Sequence, residues 1–372
     1  MDRRQLVVVK IGTSTLTGRT KELSRRQMLL VTTQVAALHE QGHRVIIVTS
    51  GSVAAGREAL GHQKYAATLP AKQMLSSIGQ VRLMHAWSEL FAIYGITVGQ
   101  LLLSRGDFAN RRHYLNIRDT FWALLNNGVV PIINENDPVA TEELRFGDND
   151  NLAALVANLV AADLLVIITD QSGLYTADPS RDPEAKLISV VHEIDESILS
   201  SAGSASSSAQ GTGGMFTKLQ AARLATESGT TAIIASLKER DVLQRLVGGE
   251  PIGTRFTTST TPLESRKRWL LSERVQGTVT VDAGAKKQIL EKGASLLPVG
   301  VIDCEGDFER GAIIGVKEQE GLAFATGISN YSSSEVRKLY KARSDDIEKL
   351  LGYSLGDELI HRDNLVAKSK SR

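Results

Sequence analysis

The stretch LVVVKIGT at residues 6–13 decides the fold class. Its apolar run does not alternate with polar residues, so both faces of the strand it predicts must be covered, as in a parallel sheet sandwiched between helices. RVIIVTSGS at residues 44–52 repeats the pattern, a buried run followed by small and polar residues. Between the two, Ser24 offers an N-cap, Met28, Val31, Val35 and Leu38 recur at helical spacing, and Gly42 stands where a helix should stop. Those signals predict a crossover helix. Further apolar runs at 96–102, 129–134, 164–169 and 231–235 alternate with helical patterns at 72–94, 112–127, 149–161 and 215–228. Strand and helix in alternation predict an α/β domain with a mostly parallel sheet.

The pattern changes after Gly253. Thr257 to Thr261 and the basic Arg266-Lys267-Arg268 read as a linker. Beyond it, short runs such as GTVTVDAGA and GAIIGVK, rich in glycine turns, predict a small β-rich domain. The expected boundaries are a first domain over 1–256, a linker over 257–274, a second domain over 275–355 and a fraying polar tail over 356–372. A chain of 372 residues also exceeds the roughly 250–300 that one core usually serves. The 43 basic and 42 acidic side chains nearly cancel, which argues against a whole-molecule attraction to nucleic acid or an anionic membrane. Any anion site must therefore be local. Cys304 is the only cysteine, which excludes an intrachain disulfide or a cysteine metal cluster and reads as a buried structural thiol. The apolar run near the start is too short for a secretory segment, and no stretch approaches the roughly 20 apolar residues of a membrane span. The cytoplasm is the expected compartment.

In an open parallel sheet, ligands bind beyond the carboxyl ends of the strands. Lys10, Gly12 and Thr13, then Thr49, Ser50 and Gly51, then Asn134, Glu135, Asn136 and Asp137, then Thr169 and Asp170 follow the apolar runs and are expected along one edge. Glycines beside Lys10 and Ser50 let the backbone approach an anion closely, and amides opening a helix bind phosphate oxygens. GTGGMFTK at residues 211–218 repeats this arrangement and brings Lys218 into the first turn of a helix. Glycine amides, a helix dipole and an ammonium then converge on a nucleotide, the alternative being a flexible linker with a surface lysine. The run is neither a Walker A loop nor a dinucleotide fingerprint. The Gly/Ser-rich residues 200–214 around its start predict a mobile surface loop. INENDPVA and FGDNDNLAAL place Asp137, Asp148, Asn149 and Asp150 around a short excursion before an apolar helix. Asp148 as a helix cap explains one of these residues, whereas the polar density as a whole points to substrate binding. His361-Arg362-Asp363-Asn364 resembles the protein-kinase catalytic loop but lacks that family's other parts, so a chance match is expected.

Taken in order, VVKIGTSTLT, VTSGSVAAGRE, VPIINENDPVAT, FGDNDNLAALVA, TDQSGLYTADP, GTGGMFTKLQAA and PLESRKRW resemble the glutamate 5-kinases of the amino acid kinase family over nearly the whole chain. The resemblance implies a three-layer α/β/α kinase domain with ATP and L-glutamate at the carboxyl edge of its sheet. Through GASLLPVGV and FERGAIIGV the second domain resembles a PUA domain, a small β-barrel found in RNA-modifying proteins. Position by position, the family pattern puts Lys10 and Lys218 against the transferring phosphoryl group, with Asp150 orienting both. It places Ser50, Gly51, Asn134, Asp137, Asp148 and Asn149 around glutamate. Gly12, Thr169, Asp170, Gly211, Thr212, Gly213, Gly214, Met215, Phe216 and Thr217 join the two lysines around ATP.

The same resemblance implies formation of L-glutamyl 5-phosphate and ADP, the first step of proline biosynthesis, with feedback inhibition by proline. It also implies a homodimer or homotetramer and a hand-off of the labile product to glutamyl phosphate reductase. Magnesium is expected to bind mainly through ATP phosphates and retained water, so no metal ligand is assigned. The acceptor carboxylate is already ionised at neutral pH, so no general base is required. RNA binding by the second domain is not expected, because that region mixes both charges. Acetylglutamate kinase, aspartokinase and uridylate kinase share the phosphate chemistry and stay open as alternatives. So does an RNA-binding PUA protein with a vestigial kinase domain, although Lys10, Asp150 and Lys218 count against it.

Overall fold

A computed structural model describes residues 4–18, 20–139, 149–179, 181–196, 198–199, 214–262, 264–265, 270–271, 274–319 and 321–367. The chain divides into two compact units, Met1–Pro262 and Leu263–Arg372.

In the first unit, β1 (Leu6–Ile11), α1 (Thr13–Thr17) and α2 (Arg25–Glu40) lead to β2 (Arg44–Thr49). Then come α3 (Ser52–Ala59), α4 (Leu69–Ala92), β3 (Val98–Leu103), α5 (Arg105–Ala109), α6 (Arg111–Asn126) and β4 (Val130–Glu135). α7 (Asn149–Val160), β5 (Leu164–Thr169), β6 (Val190–Val191), α8 (Met215–Glu227), β7 (Thr231–Ser236), α9 (Val242–Val247) and β8 (Thr254–Phe256) complete it. The predicted crossover helix is α2: the Ser24 side chain accepts from the Gln27 amide at its start, and Gly42 follows its end with φ 84°.

The described strands form one eight-stranded sheet in the order β3-β4-β2-β1-β5-β7-β8-β6. All neighbours pair in parallel except β7 and β8. Strands β6 and β8, which the sequence did not signal, have two and three residues, too few to show a period. Both faces of the sheet are covered, as the non-alternating runs require. Leu6 and Val8 of β1 join a core with Phe121 of α6, Val156 of α7 and Leu219 of α8. Val7, Val9 and Ile11 join a second core with Met28 of α2, Trp87 of α4 and Leu243 of α9. The result is three layers, α/β/α. Pairings of Ile11 with Thr49, of Ile11 with Ile168 and of Val48 with Ile133 bring the carboxyl ends of β1, β2, β5 and β4 to one edge.

In the second unit, β9 (Gly277–Val281), α10 (Ala283–Lys292), β10 (Val301–Glu305), β11 (Ile313–Lys317), β12 (Ala325–Ile328), α11 (Ser333–Lys338), α12 (Ile347–Leu351) and β13 (Leu365–Ala367) follow in order. The described strands form a mixed sheet, β10-β9-β11-β12-β13, over a core that includes Val279, Ile314, Tyr331 and the expected buried thiol of Cys304. The expected polar tail is corrected here. Leu359 and Ile360 are buried, and β13 pairs antiparallel with β12, because Leu365 and Val366 cover one edge of this small core. The kinase-like His361-Arg362-Asp363-Asn364 is the short turn that leads into that strand.

Of the expected loop over 200–214, all but Gly214 lies outside the described residues, as does Arg266-Lys267-Arg268. No described helix is long and apolar enough to cross a membrane.

Candidate active site

Lys10 shares the register of Leu6 and Val8 on β1, so its side chain leaves the sheet toward α7 and α8. There its Nζ meets Asp150 Oδ1 at 2.5 Å, and Lys218 Nζ lies 3.3 Å from Asp150 Oδ2. Asp150 belongs to the first turn of α7 and Lys218 to the first turn of α8. Thr217 Oγ1 donates to the same Asp150 oxygen at 3.0 Å, and Lys218 Nζ donates to the Gly214 carbonyl at 3.4 Å. All three charged groups are buried, Asp150 completely. Two ammonium groups around one carboxylate leave a positive charge with little water to screen it, which attracts an anion strongly.

A second network lies at the ends of β2 and β4. Asn149 Nδ2 donates to the Thr49 carbonyl at 2.9 Å, to Ser50 Oγ at 2.7 Å and to Asn134 Oδ1 at 3.1 Å. Asn134 Oδ1 also accepts from the Glu135 backbone at 2.9 Å, and Asn134 Nδ2 donates to Gln80 Oε1 at 2.8 Å. Backbone partners at both ends fix the orientation of these amides. Asn149 Oδ1 is then left as a buried acceptor with no hydrogen bond among the described residues.

Beside this network, Asp137 accepts from Ser76 Oγ at 2.6 Å and has Lys72 Nζ at 3.7 Å from its other oxygen. Burial pushes the neighbouring Glu135 carboxyl up to about 7, with the Asp137 charge adding to the rise and Lys72 opposing it.

A cleft of about 1410 Å³ brings together most residues singled out from the sequence: Lys10, Gly12, Ser50, Gly51, Asn134, Asp137, Asn149, Thr169, Asp170 and Lys218 line it. Gly51 has φ 107°, and a side chain there would press on Leu23 and Leu16, so glycine gives the chain its turn from β2 into α3. Asp150 is buried and reaches the site through its lysines. Met215 and Phe216 open α8 without being part of the cleft wall. Asp148, Gly211, Thr212 and Gly213 lie outside the described residues.

Sequence reasoning missed the contribution of α4. Lys72, Ser76 and Gln80 recur at four-residue spacing and reach Asp137, Asp137 and Asn134. A polar row at i, i+4 and i+8 inside a helix that otherwise buries leucines was the available signal.

The profile of the amino acid kinase family matches residues 5–236, the part of the chain that carries the cleft and both networks. Glutamate 5-kinase of Yersinia pestis (strain Pestoides F) is 48% identical over 366 residues, covering 98% of this chain and all of that protein. Glutamate 5-kinase of Klebsiella pneumoniae is 48% identical over 368 residues, covering 99% of this chain and all of its own length. The chain belongs to the amino acid kinase family, among the glutamate 5-kinases. Its amino acid kinase domain is followed by a match to the PUA domain at residues 277–351, which takes in β9 to β12 of the mixed sheet of the second unit. UMP kinase from Bacillus anthracis is similar in structure, with 15% identity and a TM-score of 0.47, over 70% of this chain and 98% of that one. As a member of the amino acid kinase family the chain is a kinase, an enzyme of phosphoryl transfer.

Proposed function

We propose that this chain transfers the γ-phosphoryl group of ATP to the side-chain carboxylate of L-glutamate. A carboxylate oxygen bonds to the γ-phosphorus while the bond from that phosphorus to the β,γ-bridging oxygen breaks. L-Glutamyl 5-phosphate and ADP leave. The observation that carries the proposal is the Lys10–Asp150–Lys218 cluster, buried at the cleft where the two substrates would meet.

Both substrates are anions, so their approach needs fixed positive charge, and phosphoryl transfer is governed by alignment and electrostatic stabilisation. In this reading Lys10 and Lys218 hold the moving phosphoryl group, and Asp150 keeps the lysines apart and aimed. Ser50, Gly51, Asn134, Asp137, Asp148 and Asn149 hold glutamate. Gly12, Thr169, Asp170 and residues 211–218 hold ATP.

A free ammonium on the acceptor requires hydrogen-bond acceptors. Asp137 and the unpartnered Asn149 Oδ1 provide them, which favours glutamate over an N-acetylated substrate.

Among the described residues no three His, Cys, Asp or Glu side chains gather as a metal cage. In this reading magnesium arrives on the nucleotide, held by phosphate oxygens and water, where it would offset phosphate charge. The same reading has the enzyme work in the cytoplasm at the first step of proline biosynthesis, as a homodimer or homotetramer. Proline would inhibit it, and the product would pass to glutamyl phosphate reductase.

The test is ATP consumption with L-glutamate, the acyl phosphate being trapped with hydroxylamine, in parallel with aspartate and N-acetylglutamate. Glutamate-dependent hydroxamate is the expected result. Equal or greater turnover with another acceptor, or none with glutamate, overturns the proposal.

A further inference from the structure

Helices α3 and α4 approach too closely for ordinary side chains. A Cβ built on Gly79 would lie 1.7 Å from the Ser52 carbonyl oxygen, and one on Gly56 would lie 2.0 Å from that of Leu75. The closeness puts two buried hydroxyls in contact, Ser76 Oγ and Ser52 Oγ, 3.0 Å apart. Both converge on one atom: Asp137 Oδ2 is 2.6 Å from Ser76 Oγ and 3.5 Å from Ser52 Oγ.

A carboxylate only accepts, so Asp137 Oδ2 takes a proton from Ser76 at close range and a second, longer one from Ser52, whose oxygen also faces the Ser76 hydroxyl. The turn carrying Asp137 is held by the same helix, since Gln73 donates to the Pro138 carbonyl at 3.3 Å. Ser76 does not line the cleft, whereas Asp137 does.

We infer that Ser76, supported by Ser52, is a positioning residue for amino acid recognition: it occupies Asp137 Oδ2 and so turns Oδ1 toward the acceptor's ammonium. This rests on the proposal that Asp137 binds the ammonium of glutamate. A hydroxyl donating to a buried carboxylate is worth more than a neutral pair, and without it the carboxylate can rotate away from its bound orientation.

Ser76→Ala keeps a good helix former and removes only the hydroxyl. It is expected to raise the glutamate KM about 10-fold, the size of effect of one hydrogen bond to a charged group. The ATP KM should stay where it is, while the thermal midpoint falls by the loss of one hydrogen bond to a buried carboxylate. The effect should vanish when Ser76→Ala is combined with Asp137→Ala, because the hydroxyl then has no carboxylate to orient.

A purely structural serine would instead change both KM values, and its effect would add to that of Asp137→Ala. Either pattern overturns the positioning role, as does an unchanged glutamate KM in Ser76→Ala while Asp137→Ala raises it. An unchanged glutamate KM in Asp137→Ala itself overturns the placement of the ammonium, and the inference with it, so the two failures are told apart.

Discussion

At the scale of single residues, the Lys10–Asp150–Lys218 cluster is asymmetric in what each member contributes. Removing one lysine leaves Asp150 paired with the other, so the fold keeps a balanced buried pair. Removing the carboxylate leaves two buried ammonium groups facing each other. Asp150→Asn is therefore expected to lower the unfolding free energy by about 3–5 kcal/mol. Lys10→Ala and Lys218→Ala should cost less stability but lower kcat about 10²- to 10³-fold, the range for losing one electrostatic stabiliser. Denaturant midpoints beside steady-state rates check both halves, and a stable Asp150→Asn variant would contradict the charge argument.

Glu135 yields a pH dependence of opposite sign to a salt-bridged acid. Its folded pKa, about 7, is above the ordinary 4.5 because burial and the charge of Asp137 disfavour its ionised form. Between those values the folded chain holds a proton that the unfolded chain has released. Stability contributed by this group is thus complete below 4.5 and is lost as pH rises toward 7. Glu135→Gln should remove that slope and leave the variant more stable than the parent at pH 8, by urea unfolding across the range. The sequence singled out Lys10 because it closes an apolar run, Lys218 because it follows a glycine loop and Asp150 because it stands in a dense polar stretch before an apolar helix. The shift of Glu135 was not legible, since its largest cause is burial, which only the packing of the folded chain sets.

At the scale of elements, the buried runs of β1, β2 and β5 and the crossover helix α2 were readable because length, period and caps agreed. The helix α4 was readable as a helix but not as part of the site. Its polar row gains meaning only once β4 and the turn at Asp137 lie against it. The strand β13 was hidden for a different reason, its three residues lying in a polar, basic surround whose pairing partner is distant in sequence.

The α3–α4 seam belongs to this scale. Gly79→Ala would force a methyl onto the Ser52 carbonyl, and backbone cannot yield as a side-chain tip does. The helices must separate, at a cost of about 1–3 kcal/mol for overpacking, and Ser52, Ser76 and Asp137 separate with them. Gly79→Ala is accordingly expected to lower the melting temperature and raise the glutamate KM together, and its loss of stability should persist in an Asp137→Ala background, where that of Ser76→Ala vanishes. Calorimetry with acceptor titrations distinguishes the two variants; an unshifted melting temperature in Gly79→Ala would show that the seam has slack.

At the scale of the whole molecule, every described residue placed around the two substrates belongs to the first unit, Met1–Pro262. That unit has two cores of its own, one on each face of its sheet. A fragment of residues 1–262 is therefore expected to fold and to retain glutamate-dependent ATP turnover. The second unit has a separate core that includes Val279, Ile314, Leu359 and Leu365, and a fragment of residues 263–372 should unfold cooperatively by itself. Ending that fragment at residue 360 removes β13, uncovers the edge of β12 and exposes the apolar surface that Leu365 and Val366 cover. Burying each of those side chains contributes about 1.5–3 kcal/mol, a large share of the roughly 5–15 kcal/mol by which a small domain is stable. The shortened fragment should consequently lose its sharp thermal transition while the longer one keeps it. Equal transitions would mean that the strand adds nothing to the core and that the segment is the solvated tail its composition suggests.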